Sequence, residues 1–263
     1  MDLLTSRAQK QSHIGRLGGF SLVELMIALT LGLMLTMGLY SMLSSQRLTY
    51  QMSQLNGSIT ERAQRDNNFL RAMVNQAGYM DYDSVQSSIL GDTPFVATGS
   101  WVKGQVIRAD NNLTSASMKS GSDMLQLRFI GDGALIYNCA GNVVSAQMLW
   151  YVSIYVNSNS QLICSDTNST TVLDENVETL QLLFTSSTTP SILLRADEVT
   201  SASAWLTVTR LSYGLLLAEK NVAAASGINT QSYQILDQSI NSANDSQLRQ
   251  PITESLLLRN NRS

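Results

Sequence analysis

Glu24 has the strongest claim on chemistry, because of where it stands. It is the only charged group in residues 20 to 43, "FSLVELMIALTLGLMLTMGLYSML". An acidic side chain inside a membrane span costs on the order of 2.5–3.5 kcal/mol on insertion scales, and it marks a function and a partner. Phe20 precedes it by four residues, so the two share a helix face. A carboxylate in the first helical turn also meets the positive end of the macrodipole. The alternative is an interfacial glutamate that snorkels to water.

Other reactive side chains are few. The single histidine, His13, lies before residue 19. Beyond it there is no Ser-His-Asp or Cys-His nucleophile and no His-ligated metal. The two cysteines are Cys139 and Cys164. In an oxidising compartment such a pair forms a disulfide, and closing a loop of about 26 residues contributes roughly 3–4 kcal/mol by chain entropy. Two buried free thiols are the other reading. Asp81 and Asp83 flank Tyr82 but lack the further oxygen ligands and the bidentate glutamate of a calcium loop. Asp132 between two glycines reads as a turn, and Asp174, Glu175 and Glu178 read as a solvated strand entry. "GDGALIYN" has no third glycine, so it is no dinucleotide loop. Trp150, Tyr151 and Tyr155 offer an aromatic surface, or simply a half-buried sheet. Arg249, Arg259 and Arg262 are too few for a nucleic-acid surface. No cofactor and no direct nucleic-acid partner is expected, and the chain is not expected to be an enzyme.

The elements that position these residues follow from composition and period. The chain has 263 residues, 44% of them hydrophobic and only 14% charged, against about 25% charged in soluble domains. Residues 20 to 43 are long enough to cross a bilayer core of about 30 Å. Arg7, Lys10 and Arg16 precede them and Arg47 is the first charge after. The positive-inside rule puts the N-terminus in the cytoplasm and the rest outside, in a single pass. Beyond the span, Leu48, Met52, Leu55, Ile59, Ala63, Leu70, Met73 and Ala77 step as one helix face does. Arg47, Gln54, Glu61, Arg62, Arg65 and Asp66 supply the polar side. Gly78 is the C-cap, which gives a helix of about 55 residues, well beyond ordinary globular lengths.

From about Asp81 the period becomes two. Strands are expected at 123–129, 150–156, 161–164, 177–185, 205–217, 232–236 and 252–260. Leu125, Leu127 and Phe129 alternate against Gln126 and Arg128. Turn-rich polar stretches at 109–122 and 186–203 separate strands. The class is α+β, a long N-terminal helix packed on an antiparallel sheet. Its parts are a leader (1–19), a membrane half of the helix (20–43), an amphipathic half (44–78) and a β-rich domain (79–263).

"GGFSLVELMIAL", with a basic leader before it and an apolar run after it, resembles the class III leader of type IV pilins and type II secretion pseudopilins. The resemblance implies that a membrane prepilin peptidase cuts between Gly19 and Phe20 on the cytoplasmic side and methylates the Phe20 amine. Glu24 then has a cationic partner, the chain's own amine or that of a neighbouring subunit, and sets axial register in a fibre. "QAGYMDYD", "SDMLQLRF", "VETLQLLF" and the tail "QLRQPITESLLLRN" fall in the order seen in PilW-type minor pilins, with the Cys139 and Cys164 pair between. This implies a low-abundance subunit that primes type IV pilus assembly, in a tip complex with other minor pilins, and so supports motility, adhesion or DNA uptake. Its partners would be other minor pilins, the major pilin, the inner-membrane assembly platform and membrane lipid. A J-type pseudopilin of type II secretion and a membrane-tethered adhesin are the alternative readings.

Overall fold

A computed structural model describes residues 19, 21–81, 93–220, 231–241, 245 and 247–261. The chain divides into two units, residues 1–50 and 51–263. One helix, α1 (Leu22–Gln76, 55 residues), begins in the first and ends in the second. Its residues 22–50 are all exposed. This stretch contains a window of mean hydropathy 2.1, long and apolar enough to cross a membrane. Thr30 and Thr36 donate their hydroxyls to the carbonyls of Ile27 and Leu33 at 2.9 Å, so these polar groups are satisfied within the helix.

In the second unit the helix is amphipathic. Ile59, Ala63, Asp66, Leu70, Met73 and Val74 are buried, at the spacing of three and four that one face requires. The stripe therefore contains Asp66, whose charge puts it on the polar side in the sequence expectation. Its position follows from the count: 59, 63, 66, 70 and 73 are successive steps of a helical face.

The strands are β1 (Ile107–Asp110), β2 (Met124–Ile130), β3 (Leu149–Val156), β4 (Leu162–Asp166), β5 (Thr170–Asp174), β6 (Val177–Ser186), β7 (Thr189–Leu194), β8 (Val208–Lys220), β9 (Ser232–Ile235), β10 (Gln238–Asn241) and β11 (Gln247–Leu257). They form two main sheets, ordered β1-β2-β3-β4-β5 and β11-β8-β6-β7, with β9-β10 as a separate hairpin. All pairings are antiparallel. A short helix, α2 (Ala196–Ser201), follows β7. The seven expected strands all lie on observed ones, with shifted ends: residues 205–207 are a 3-10 turn before β8, and the last strand starts at Gln247. Four strands escaped the alternation pattern. β1, β5 and β10 are only four or five residues long. β7 carries Pro190 and exposes most of its residues, and it lies with α2 where turns are expected. The sheet also divides in two.

One apolar cluster joins α1 to both sheets. It includes Ile59, Leu70, Met73 and Val74 of the helix, Leu125, Leu127 and Phe129 of β2, Val152 and Ile154 of β3, Leu182 and Phe184 of β6, and Leu211 and Leu215 of β8. A polar seam ties the sheets together. The Asp123 amide donates to the Leu180 carbonyl at 2.8 Å, and the Leu182 amide donates to Asp123 Oδ2 at 2.8 Å. Burial raises the Asp123 pKa to about 6 despite the two amides on its carboxylate, from Asn112 and Leu182.

The end of α1 is fixed by the other end of the chain. Gly78 has φ +73, and a Cβ there would meet the Asn260 carbonyl oxygen at 2.8 Å. Asn260 Nδ2 donates to the carbonyls of Asn75 and Ala77, both at 3.2 Å. These are carbonyls that a helix terminus leaves without partners.

Candidate functional site: the head of the long helix and the seam that anchors its tail

Glu24 lies in the first turn of α1 and is exposed. The Leu25 amide donates to the Ser21 carbonyl at 3.1 Å, so helical bonding starts at Ser21. Gly19 is exposed, and a Cβ added to it would meet nothing within 4 Å. Phe20, His13 and the basic residues Arg7, Lys10 and Arg16 lie outside the described residues, as does Asp83. The head of α1 thus presents an open Gly19 and a carboxylate one turn into a helix whose next six turns are apolar.

The tail of the same helix carries an inward set of charges. Arg62 donates to Asp174 Oδ1 at 2.8 Å, to the Ala218 carbonyl at 3.1 Å, to Glu219 and to the Glu175 carbonyl. Arg65 reaches Asp174 at 3.4 Å. Asp174 is therefore a buried partner of the helix, where a solvated strand entry is the sequence expectation. Asp66 is 1% exposed, and among the described residues no hydrogen bond reaches its oxygens, the Arg65 Nε standing 3.9 Å from Oδ1. Burial first, and then the Asp174 carboxylate beside it, raise its pKa to about 8. Two facing carboxylates need a shared proton, so Asp66 is held as the acid. Further along, Tyr213 donates to Asn67 and to Glu254 at 3.0 Å, and Arg71 pairs with Glu254. Arg249 is likewise internal: it bridges Glu178 and Asp245 at 2.7 and 2.8 Å, and these carboxylates raise its pKa. It adds nothing to a basic C-terminal surface.

Arg128 departs furthest from its sequence expectation. Alternation along β2 puts it on the polar face with Gln126, yet it is fully buried. Loop 93–105 folds over that face. The guanidinium donates to the carbonyls of Val96 at 2.7 Å, Val102 at 2.8 Å, Phe95 at 3.3 Å and Gln105. It also stacks 4.8 Å from the Trp101 ring centroid and 5.4 Å from that of Phe95. Burial lowers its pKa, and Tyr151 opposes that shift. Trp150 is buried whereas Tyr151 is only partly covered, so the aromatic triplet of the sequence splits between core and surface. Asp132 is a turn, its Oδ1 accepting the amides of Ala134, Leu135 and Ile136.

Cys139 and Cys164 form a disulfide with Cα atoms 5.6 Å apart. Cys164 lies on β4, whereas Cys139 lies in the loop between β2 and β3. The bond ties that loop to the five-stranded sheet, and Asp166 reinforces it by accepting the Cys139 amide at 2.9 Å.

Residues 16–40 match the model of the prokaryotic N-terminal methylation motif. The fold resembles that of a type IV-like pilin from Thermus thermophilus, with a TM-score of 0.50 over 78% of this chain and all of that one, at 13% identity. The chain carries a methylation motif of the prepilin kind on a type IV pilin fold. No curated protein matches it by sequence. The motif covers the span that holds Gly19, Phe20 and Glu24, and the pilin fold accounts for a helix that is apolar in one half and packed on sheets in the other.

Proposed function

We propose that this protein is a minor pilin that primes type IV pilus assembly, in a tip complex with other minor pilins. The observation that carries the reading is α1 itself. From Leu22 to Leu43 its large apolar side chains are more than half exposed, Leu22 at 74% and Met34 at 71%. Such a surface needs lipid before assembly and neighbouring helices after it. The prepilin peptidase cuts between Gly19 and Phe20, methylates Phe20 and leaves a cationic amine. The N-terminus is cytoplasmic, the domain from residue 79 is periplasmic, and the inner membrane stores the subunit. Glu24 then sets axial register against the amine of a neighbouring subunit. The assembly platform draws the helix from lipid into the fibre, which serves motility, adhesion or DNA uptake.

Deletion of the gene followed by counting surface pili by electron microscopy tests the priming role. Piliation falls sharply and returns on complementation. Normal piliation with loss of protein export overturns the reading and assigns the chain to a type II secretion pseudopilus.

A further inference from the structure

The outer face of the five-stranded sheet carries a hollow of about 370 Å³ beside loop 98–101, lined by Trp101, Tyr151, Arg108, Asp110 and Gln126. Side chains two apart along a strand share a face, so β1 brings Arg108 and Asp110 together. Register puts Gln126 of β2 opposite Arg108, and Tyr151 of β3 opposite Arg128. Three neighbouring strands thus deliver one cluster to one face.

The wall of the hollow is preformed. Thr98 and Trp101 exchange backbone hydrogen bonds of 3.1 and 2.9 Å around Gly99 and Ser100. Arg108 Nη1 donates to the Ser100 carbonyl at 2.9 Å. Beneath, buried Arg128 grips the carbonyls of Val96 and Val102 and backs the Trp101 ring. The Trp101 and Tyr151 rings meet edge to face, with centroids 6.2 Å apart. Neither ring is buried. Binding at such a wall needs little ordering of the protein.

The chemistry of the lining selects a ligand class. Arg108 is paired with Asp110 at 3.0 Å, so the one cation among the lining residues is already balanced and a phosphate or carboxylate gains little. What remains is an aromatic wall beside a dense mixture of donors and acceptors: a guanidinium, a carboxylate, a carboxamide and the hydroxyls of Thr98 and Ser100. A pyranose ring matches this mixture. Its axial C–H groups pack on an aromatic face, and its vicinal hydroxyls both donate and accept at the spacing of a guanidinium or carboxylate fork. The hollow has room for one or two such rings and opens to solvent, as the end of a longer chain requires.

We propose that this hollow is a carbohydrate-binding site that takes a neutral sugar residue of a surface glycan, with Trp101 as the stacking platform and Arg108, Asp110 and Gln126 as the hydroxyl readers. The site lies wholly in the second unit and does not depend on the priming role.

The test is a printed glycan array probed with the purified full chain in a detergent that has no sugar headgroup. Fluorescence titration with the soluble form of the best glycan follows. Asp110→Ala and Gln126→Ala weaken binding by about tenfold each, the loss expected for a hydrogen bond to a charged or amide group. Trp101→Ala abolishes it. Circular dichroism and thermal melting check each variant, and Gln126→Ala touches none of the loop's hydrogen bonds, so it stands even if Trp101→Ala or Asp110→Ala loosens the loop. Absence of any glycan signal from the wild-type chain overturns the proposal. So does a bound glycan whose affinity is unchanged by Asp110→Ala and Gln126→Ala.

Discussion

At the scale of single residues, two acidic side chains on one helix have opposite situations. Glu24 is exposed in the first turn of α1, among apolar neighbours. In the proposed function its partner is the amine that processing would supply. Gly19→Ala places a Cβ at the proposed processing site and is expected to leave an unprocessed precursor, visible as a slower band on a gel. Glu24→Val removes a charge that opposes insertion, so the variant should still fractionate with membranes. Co-purification with partner pilins is expected to fall at least about tenfold, the effect of losing one charge-assisted contact; unchanged co-purification removes the register role. Asp66 is buried and holds a proton. Unfolded, it ionises near pH 4; folded, it does so at about 8. Between those values the folded state binds the extra proton, so this group's contribution to stability declines as pH rises through the window. Asp66→Asn keeps the shape and the donor. Melting temperatures from pH 4 to 9 should therefore show the variant gaining on the wild type as pH rises, with the difference levelling off above about pH 8.

At the scale of elements, loop 93–105 depends on one side chain. Arg128 satisfies four carbonyls, two of them, those of Phe95 and Gln105, on buried residues. Arg128→Met fills the volume but leaves those carbonyls without donors, at about 1–3 kcal/mol for each that water does not reach. Unfolding in urea is expected to show a loss of ~3 kcal/mol, and hydrogen exchange should rise in residues 95–105 before it rises in β2. Arg128 looks like a surface residue in the sequence because β2 alternates without fault from Leu125 to Phe129. Alternation tells which residues share a face, and it is silent on whether a loop covers that face. The same limit explains Asp174, whose neighbours Arg62 and Arg65 are more than a hundred positions away. Helical period, in contrast, carries distance information within one element, so the apolar stripe of α1 from Ile59 to Met73 is legible, whereas Asp66, expected on the polar side because of its charge, lies within that stripe.

At the scale of the whole molecule, the two units answer to different solvents. Among the described residues, the first contributes an apolar stretch of helix with one carboxylate, Glu24, near its head. The second holds the core cluster, the disulfide and both sheets. A fragment of residues 51–263 is therefore expected to stay soluble without detergent and to melt cooperatively, whereas the full chain requires detergent. Size-exclusion chromatography and circular dichroism check both. Aggregation of the fragment in oxidising buffer contradicts this division of labour.

What the sequence determined by itself is the part governed by local chemistry: the methylation motif around Gly19 and Phe20, the single carboxylate in an apolar span, the 55-residue length of α1 and its cap at Gly78. Period and spacing fix these because the interacting groups lie within a turn or two of each other. Tertiary structure alone decided that β-strands divide into two sheets, that Asn260 caps a helix ending at Gln76, that Arg128 lies under a loop, and that Trp101 and Tyr151 wall a hollow while Trp150 goes to the core. Each of those joins residues far apart in the chain, and a one-dimensional pattern holds no term for which distant groups a fold withdraws from water together.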